Sequence, residues 1–223
     1  MASVLITGST GMVGKGVLLE CLADSSIDQV ILLNRSPIDI ADNKIKEIIT
    51  KDFTSLEGIK TQIENLDACF HCMGVSAVGL SEEQYHKLTY DVTRALADLC
   101  YAINPEMTFN YVSGEGTDSS EKGRVMWARV KGKAENYILN KGFAKAYAFR
   151  PGIIIPEKGI RSRTKLYDRA YTVLKPVFPV LKKLNGVTTT TKIGQAMIKT
   201  LAMPHQEVQH PTNKVINKWA AGS

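Results

Sequence analysis

The stretch SVLITGSTGMVGKG, residues 3–16, leaves a chain few folds to choose from. A short β-branched run leads directly into Gly8, Gly11 and Gly14 and then into a helical pattern, so a strand must turn sharply and become a helix within a few residues. Gly8 is expected at the tight turn, Gly11 where bare backbone lets a pyrophosphate approach, and Gly14 where the helix packs close to the sheet. Thr10, Met12 and Val13 fall in the same turn, where free amides and the positive end of the helix dipole face phosphate oxygens. The stretch reads as a dinucleotide-binding turn.

The remainder of the chain agrees with such a turn. Short apolar runs (QVILL, EIITK, ACFHCM, TFNYVS, AYAFR) alternate with helical patterns that run to about Asp24, near residues 55–65, from Ser81 to about Ile103, and around Trp127. Alternation of this kind predicts an α/β, Rossmann-type doubly wound parallel sheet covered on both faces, with six strands up to Phe149. Ser81 and Gln84 have the spacing of a capping box at the start of the long helix. Beyond RPGIIIP the alternation stops, and residues 155–223 read as helices separated by Pro156, Pro176, Pro179, Pro204 and Pro211, with TTTT at 188–191 opening the helix of KIGQAMIKTLAM. Residues 1–154 are thus expected to form the nucleotide-binding domain, and 155–223 a small, mostly helical C-terminal cap with no second sheet, in one structural unit. A chain of 223 residues with 44% apolar content is large enough to bury one substantial core.

Composition narrows the setting. There is no apolar run long enough to span a bilayer, and the N-terminus enters a strand pattern without a leader, so the expectation is a cytoplasmic protein with no membrane partner. Cys21, Cys69, Cys72 and Cys100 sit in apolar periodic segments, as reduced thiols packed as small hydrophobes do. Cys69 and Cys72 have redox spacing, but three residues apart on a strand they face opposite sides of the sheet; neither a dithiol nor a metal site is expected, and His71 between them reads as a satisfied strand residue. The net charge of +6 is concentrated in residues 158–183, where Lys158, Arg161, Arg163, Lys165, Arg169, Lys175, Lys182 and Lys183 face a single Asp168. That segment reads as a solvated face or as an anion-facing wall beside a ligand site; it lacks the interleaved aromatics of a nucleic-acid binder.

The choice of dinucleotide turns on the end of the second strand, where a carboxylate would grip the ribose 2′-hydroxyl of NAD. This chain has Asn34 and Arg35 there, and a guanidinium suits a 2′-phosphate, so NADP(H) is favoured over NAD(H). Lys15 offers a second positive charge. Asp52, at the end of the third strand, either accepts from the adenine amino group or caps the following segment.

Taken together, TGSTGMVG, MG at 73–74, YVSGEG at 111–116, WARVKGKAE at 127–135 and RPGIIIP from Arg150 resemble the short-chain dehydrogenase/reductase superfamily, in its atypical and extended, epimerase/dehydratase-like branch. The resemblance implies cofactor contacts at Phe53, Met73, Gly74, Pro151 and Gly152, and it matches Ser113 and Lys131 to the family's catalytic serine and lysine. Trp127 stands where the family's catalytic tyrosine would. An indole N–H donates a hydrogen bond but does not relay a proton, whereas the Lys131 ammonium can still hold the nicotinamide ribose. Candidates for a replacement acid are Tyr85, Tyr90, Glu115, Tyr167 and Tyr171; Tyr111 lies inside a strand. Three function classes remain: an oxidoreductase or epimerase-like enzyme acting on a small molecule, an anionic one if the basic segment faces the site; a non-catalytic NADP(H) sensor that acts through a partner; and, with least support, a nucleic-acid or membrane-surface binder. Either of the first two would be a monomer or a homodimer.

Overall fold

The structure is a computed structural model that describes residues 1–63, 65–160, 178–182, 184, 186–204 and 208–222. The chain opens with β1 (Ala2–Thr7), α1 (Met12–Ala23), β2 (Ile27–Asn34) and β3 (Ile45–Ile49). A 3-10 helical turn at Glu57–Gln62 leads to β4 (Ala68–His71), and a shorter, tighter coil thus replaces the helix expected near 55–65. Next comes one continuous helical stretch: α2 (Glu82–His86), a π-helical turn at Lys87–Asp91, and α3 (Val92–Ile103). It is followed by β5 (Thr108–Val112), α4 (Met126–Leu139) and β6 (Lys145–Phe149). The capping box is present in full, with the Gln84 amide donating to Ser81 Oγ at 3.2 Å and the Ser81 amide to Gln84 Oε1 at 3.0 Å.

Among the described residues the strands form a six-stranded sheet in the order β3-β2-β1-β4-β5-β6, every pair parallel. The order reverses between β1 and β4, which places a crevice beyond their carboxyl ends. Alternate residues feed opposite faces: Leu5, Ile31 and Leu33 join one apolar cluster with Leu96, Ala134 and Ile138, while Val4, Ile6, Val30 and Leu32 join another with Val17, Ile193 and Met197. Cys69 belongs to the first cluster and Cys72 packs against the second, as their spacing on one strand requires.

The C-terminal part departs from the expected cap. β7 (Ile153–Ile155) pairs in parallel with β8 (Val187–Thr189), so a small second sheet exists where only helices were expected. Three residues are too few to show a period of two, and half of TTTT is strand: Thr189 caps α6 (Thr190–Ala202), its Oγ1 accepting from the Lys192 amide at 3.1 Å. A single turn, α5 (Phe178–Leu181), precedes β8, and α7 (Asn213–Ala220) follows α6. α6 is also more than an appendage, because its Ile193, Ala196 and Met197 help to cover the main sheet. It crosses α1 at close range: a Cβ on Gly16 would lie 2.6 Å from Thr190 Cβ, and one on Gly194 2.6 Å from Glu20 Cγ.

A chain of polar side chains runs through this core. The Thr93 hydroxyl donates to the Thr89 carbonyl at 2.7 Å, so it must accept from His71 Nε2–H at 3.0 Å, leaving His71 Nδ1 to accept from the Thr7 hydroxyl at 2.6 Å. Burial, aided by the Lys131 charge, pushes the imidazole down from 6.5 to about 3. In the unfolded chain this ring takes a proton below about 6.5, but in the folded one only below about 3, so protonation favours unfolding within that window. Stability should therefore be full above about 6.5 and fall as pH drops, with His71 contributing ~1.4 kcal/mol per pH unit. Urea unfolding across that window should show a shallower slope for His71→Gln than for the parent chain; equal slopes would contradict it.

Candidate functional site

The glycine turn is built from backbone packed on backbone. Gly8 has φ +73°, and a Cβ there would sit 2.7 Å from the main chain of Cys72 and Met73, so only glycine fits between β1 and the exit of β4. The Gly11 amide donates to the Gly8 carbonyl at 2.8 Å. Gly14, expected to bring the helix close to the sheet, meets the turn itself, since its Cβ would lie 2.2 Å from Gly8 O. α1 then begins at Gly11 with no side-chain cap and no acidic residue in its first turn. Its first-turn amides, those of Met12 and Val13 among them, are left for an anion, which is the fit a dinucleotide diphosphate needs.

In front of this turn lies a cavity of about 280 Å³ lined by Gly8, Thr10, Gly11, Asn34, Arg35, Phe53, Met73 and Gly74, all anticipated, and by Leu33, Ser36 and Cys72, which were not. Asn34 is buried and committed. Ser9 Oγ donates to its Oδ1 at 2.8 Å, and its Nδ2 donates to Glu47 Oε1 at 3.1 Å, an oxygen that also takes the Ile38 amide at 3.1 Å. Asn34 thus ties the glycine turn to β3, a role for Ser9 and Glu47 that no local pattern marks. Arg35 is exposed at the cavity rim. Lys15 is exposed as well and does not line the cavity. Asp52 does not line the cavity; its Oδ1 takes the Thr54 amide at 2.8 Å and hydroxyl at 2.6 Å, bonds that hold its carboxyl below the usual range.

A second corner forms beyond β5 and β6. Lys131 Nζ donates to the Ser113 carbonyl, and a Cβ on Gly114 would be 3.9 Å from both Lys131 Nζ and the Pro151 carbonyl. The Glu115 amide donates to that Pro151 oxygen at 3.0 Å, and Glu115 Oε2 lies over Gly152, 2.2 Å from where a Cβ would stand. Ser113, Lys131, Pro151 and Gly152 are therefore brought together, although they do not line the glycine-turn cavity. The Ser113 hydroxyl points inward, donating to the Phe149 carbonyl at 3.0 Å. Trp127 is half-buried and belongs to neither apolar cluster; its Cη2 would be 3.3 Å from a Cβ on Gly116, so the indole lies against the β5 loop instead of anchoring the core. Gly132, beside Lys131, is what lets that loop lie on α4, since a Cβ there would be 1.8 Å from Asp118 O.

The other anticipated groups are scattered. Tyr85 and Tyr111 are 1% and 2% exposed, too deep to meet a ligand, and Tyr90 lines a different groove. Arg150 does not face the corner: its Nε donates to Glu135 Oε1 at 3.0 Å. Tyr167, Tyr171, Arg161, Arg163, Lys165, Asp168, Arg169, Lys175 and Lys183 lie outside the described residues. Lys158 and Lys182 are ion-paired, with Glu20 and Glu157 respectively. Among the described residues no cluster could hold a metal, and no helix is long and apolar enough to cross a membrane.

A family model described as "NAD dependent epimerase/dehydratase family" matches residues 4–124, more than half of the chain. Protein HTATIP2 of Rattus norvegicus is 25% identical over 159 residues, covering 70% of this chain but 64% of the rat protein, less than two thirds of its length. The mitochondrial protein fmp52 of Aspergillus niger is 28% identical over 169 residues, covering 71% of this chain and 69% of its own. Among solved structures, uronate dehydrogenase from Agrobacterium tumefaciens superposes with a TM-score of 0.68 at 16% identity, covering 96% of this chain and 76% of that one. The Bordetella bronchiseptica enzyme WbmF, solved in complex with NAD+, reaches 0.70 at 14% identity and covers 99% and 76%. At these identities the structures speak to the fold.

Burial pushes Lys131 down from 10.5 to about 8, with Glu135 pulling the other way. The ammonium is thus present below about 8 and lost above it, so anything it holds should bind less tightly as pH rises through that value. After reductive 13C-methylation, the resonance absent from Lys131→Met should titrate near 8; a midpoint near 10.5 would rule this out.

Proposed function

We propose, from the premise that the chain belongs to the NAD dependent epimerase/dehydratase family of the short-chain dehydrogenase/reductase superfamily, that it is an NADP(H)-dependent oxidoreductase or epimerase-like enzyme acting on a small molecule. The observation that carries this reading is one of placement. The glycine turn after β1, Met73 after β4, the Ser113–Glu115 turn after β5 and the Pro151–Gly152 turn after β6 all leave the carboxyl edge of one parallel sheet, where ligands of such sheets bind.

In this reading the first-turn amides of α1 take the diphosphate. Arg35 and Ser36 at the cavity rim take a 2′-phosphate. Lys131 holds the nicotinamide ribose. When bound, the nicotinamide gives or receives the hydride. The proton falls to Glu115, the described carboxylate set over Gly152 at the same corner as Lys131. Trp127 shapes the wall without moving a proton. A second reading, a non-catalytic NADP(H) sensor acting through a partner, is favoured by the same Trp127, which stands at the position that resemblance gives to a tyrosine.

Two measurements separate these readings. In titrations followed by indole emission, NADPH should bind at least ~10-fold more tightly than NADH, and Arg35→Ala should weaken NADPH by ~10-fold or more while sparing NADH. Trp219, packed on Tyr147 and Phe149, is the control indole. Equal affinities for the two cofactors would remove the NADP(H) preference. NADPH oxidation should then appear on a panel of aldehydes, ketones and nucleotide sugars, and Glu115→Gln should slow it without weakening NADPH. Tight binding with no turnover on the whole panel would leave the sensor.

A further inference from the structure

The loop that leaves β3 takes part in two cavities. Phe53 faces the glycine-lined one, while Thr54, Ser55 and Leu56 border another, of about 650 Å³, closed on its far side by α3 and by Tyr137 of α4. Nothing in the cofactor reading uses this second space. Its volume falls in the range of small-molecule sites. Its floor is apolar: Leu56 and Leu99 are 3% and 6% exposed, and Ala95 and Ala102 keep the wall low.

The charges around it are unevenly committed. Asp98 is taken twice, by the Tyr137 hydroxyl at 2.5 Å and by Lys141. Arg94 and Lys60 are in no ion pair among the described residues; the Arg94 guanidinium stands 6.0 Å from the centre of the Tyr90 ring, which Lys133 Nζ also approaches at 4.5 Å. Glu57 is the other carboxylate in the wall, exposed at the start of the 3-10 turn. Two cations in no ion pair among the described residues, one exposed acid already engaged and one not, two phenol rings and an apolar floor ask for a ligand with a negative head and an apolar body.

We infer that this groove is a second ligand site, separate from the cofactor cleft, for a small aromatic carboxylate: the carboxylate at Arg94 and Lys60, the ring against Leu56, Leu99 and Tyr90. It holds whether or not the chain turns over a substrate.

The probe is 2-naphthoate, with the uncharged 2-naphthalenemethanol as its counterpart, titrated calorimetrically into the full chain. The anion should bind with Kd below about 1 mM and at least ~10-fold more tightly than the alcohol, and saturating NADPH should not displace it. Lys60→Ala/Arg94→Ala should remove that ~10-fold advantage. Anion and alcohol binding alike, or displacement by NADPH, would overturn the proposal; the comparison of the two ligands on the parent chain decides even if the double variant misfolds. Absence of any binding would overturn it too, and a dimer in sedimentation that Arg94→Glu splits would then assign the groove to a second copy.

Discussion

The fold hangs on one close approach, that of Gly14 at the start of α1 to the Gly8 carbonyl at the end of β1. Because no side chain separates them, the helix can begin within four residues of the strand, and its unsatisfied amides emerge directly above the carboxyl edge of the sheet. The same turn is closed from the other side by the backbone of Cys72 and Met73, so the exit of β4 is fixed against it. Ser9 and Asn34 then extend the tie to β2, and Glu47 to β3. The ends of β1, β2 and β4 and the middle of β3 are thereby locked around one anion-ready helix terminus before any ligand contributes.

A buried carboxylate does the corresponding work at the other corner. Glu135 of α4 is fully buried, paired with Arg150 after β6 and 3.5 Å from His210 Nε2. A carboxylate in such a place is tolerable only with its partners, and losing one leaves a buried charge uncompensated, typically at ~3–5 kcal/mol. The pair therefore clamps α4 to β6, with Lys131 one helical turn before Glu135 on the same face. Burial drives the Lys131 ammonium toward neutrality and Glu135 counters it, so the lysine is held close to the point where its charge responds to small changes in its surroundings.

What was legible in the sequence was whatever local spacing controls. The alternation in Val4–Leu5–Ile6 and Val30–Ile31–Leu32–Leu33 feeds two clusters on opposite faces, the Ser81–Gln84 box forms as spaced, and eight of the anticipated cofactor residues line one cavity because all are tied to strand ends. What was not legible depends on partners far along the chain. Asn34 lines the cavity as its position implied, but its amide is held by Ser9 and Glu47, 25 and 13 residues away, and Arg150 turns to Glu135. The pattern of α6 announced a buried face but not the α1 surface it meets, which only Gly16 and Gly194, far apart in sequence, make approachable.

Trp127 marks the boundary between the two. A large ring one helical turn from Lys131 is either a pocket wall or a core anchor, and this one lies on Gly116 at φ +82°, in the turn that also carries Ser113 and Glu115. The indole therefore braces the β5 loop from the helix side while Gly132 lets the same loop settle on α4 next to Lys131. A tyrosine, smaller and ending in a hydroxyl, would fill less of that gap and would set a titratable group beside the lysine. With the indole in place, the loop is held by packing, and the titratable group that the turn presents over Gly152 is the carboxylate of Glu115.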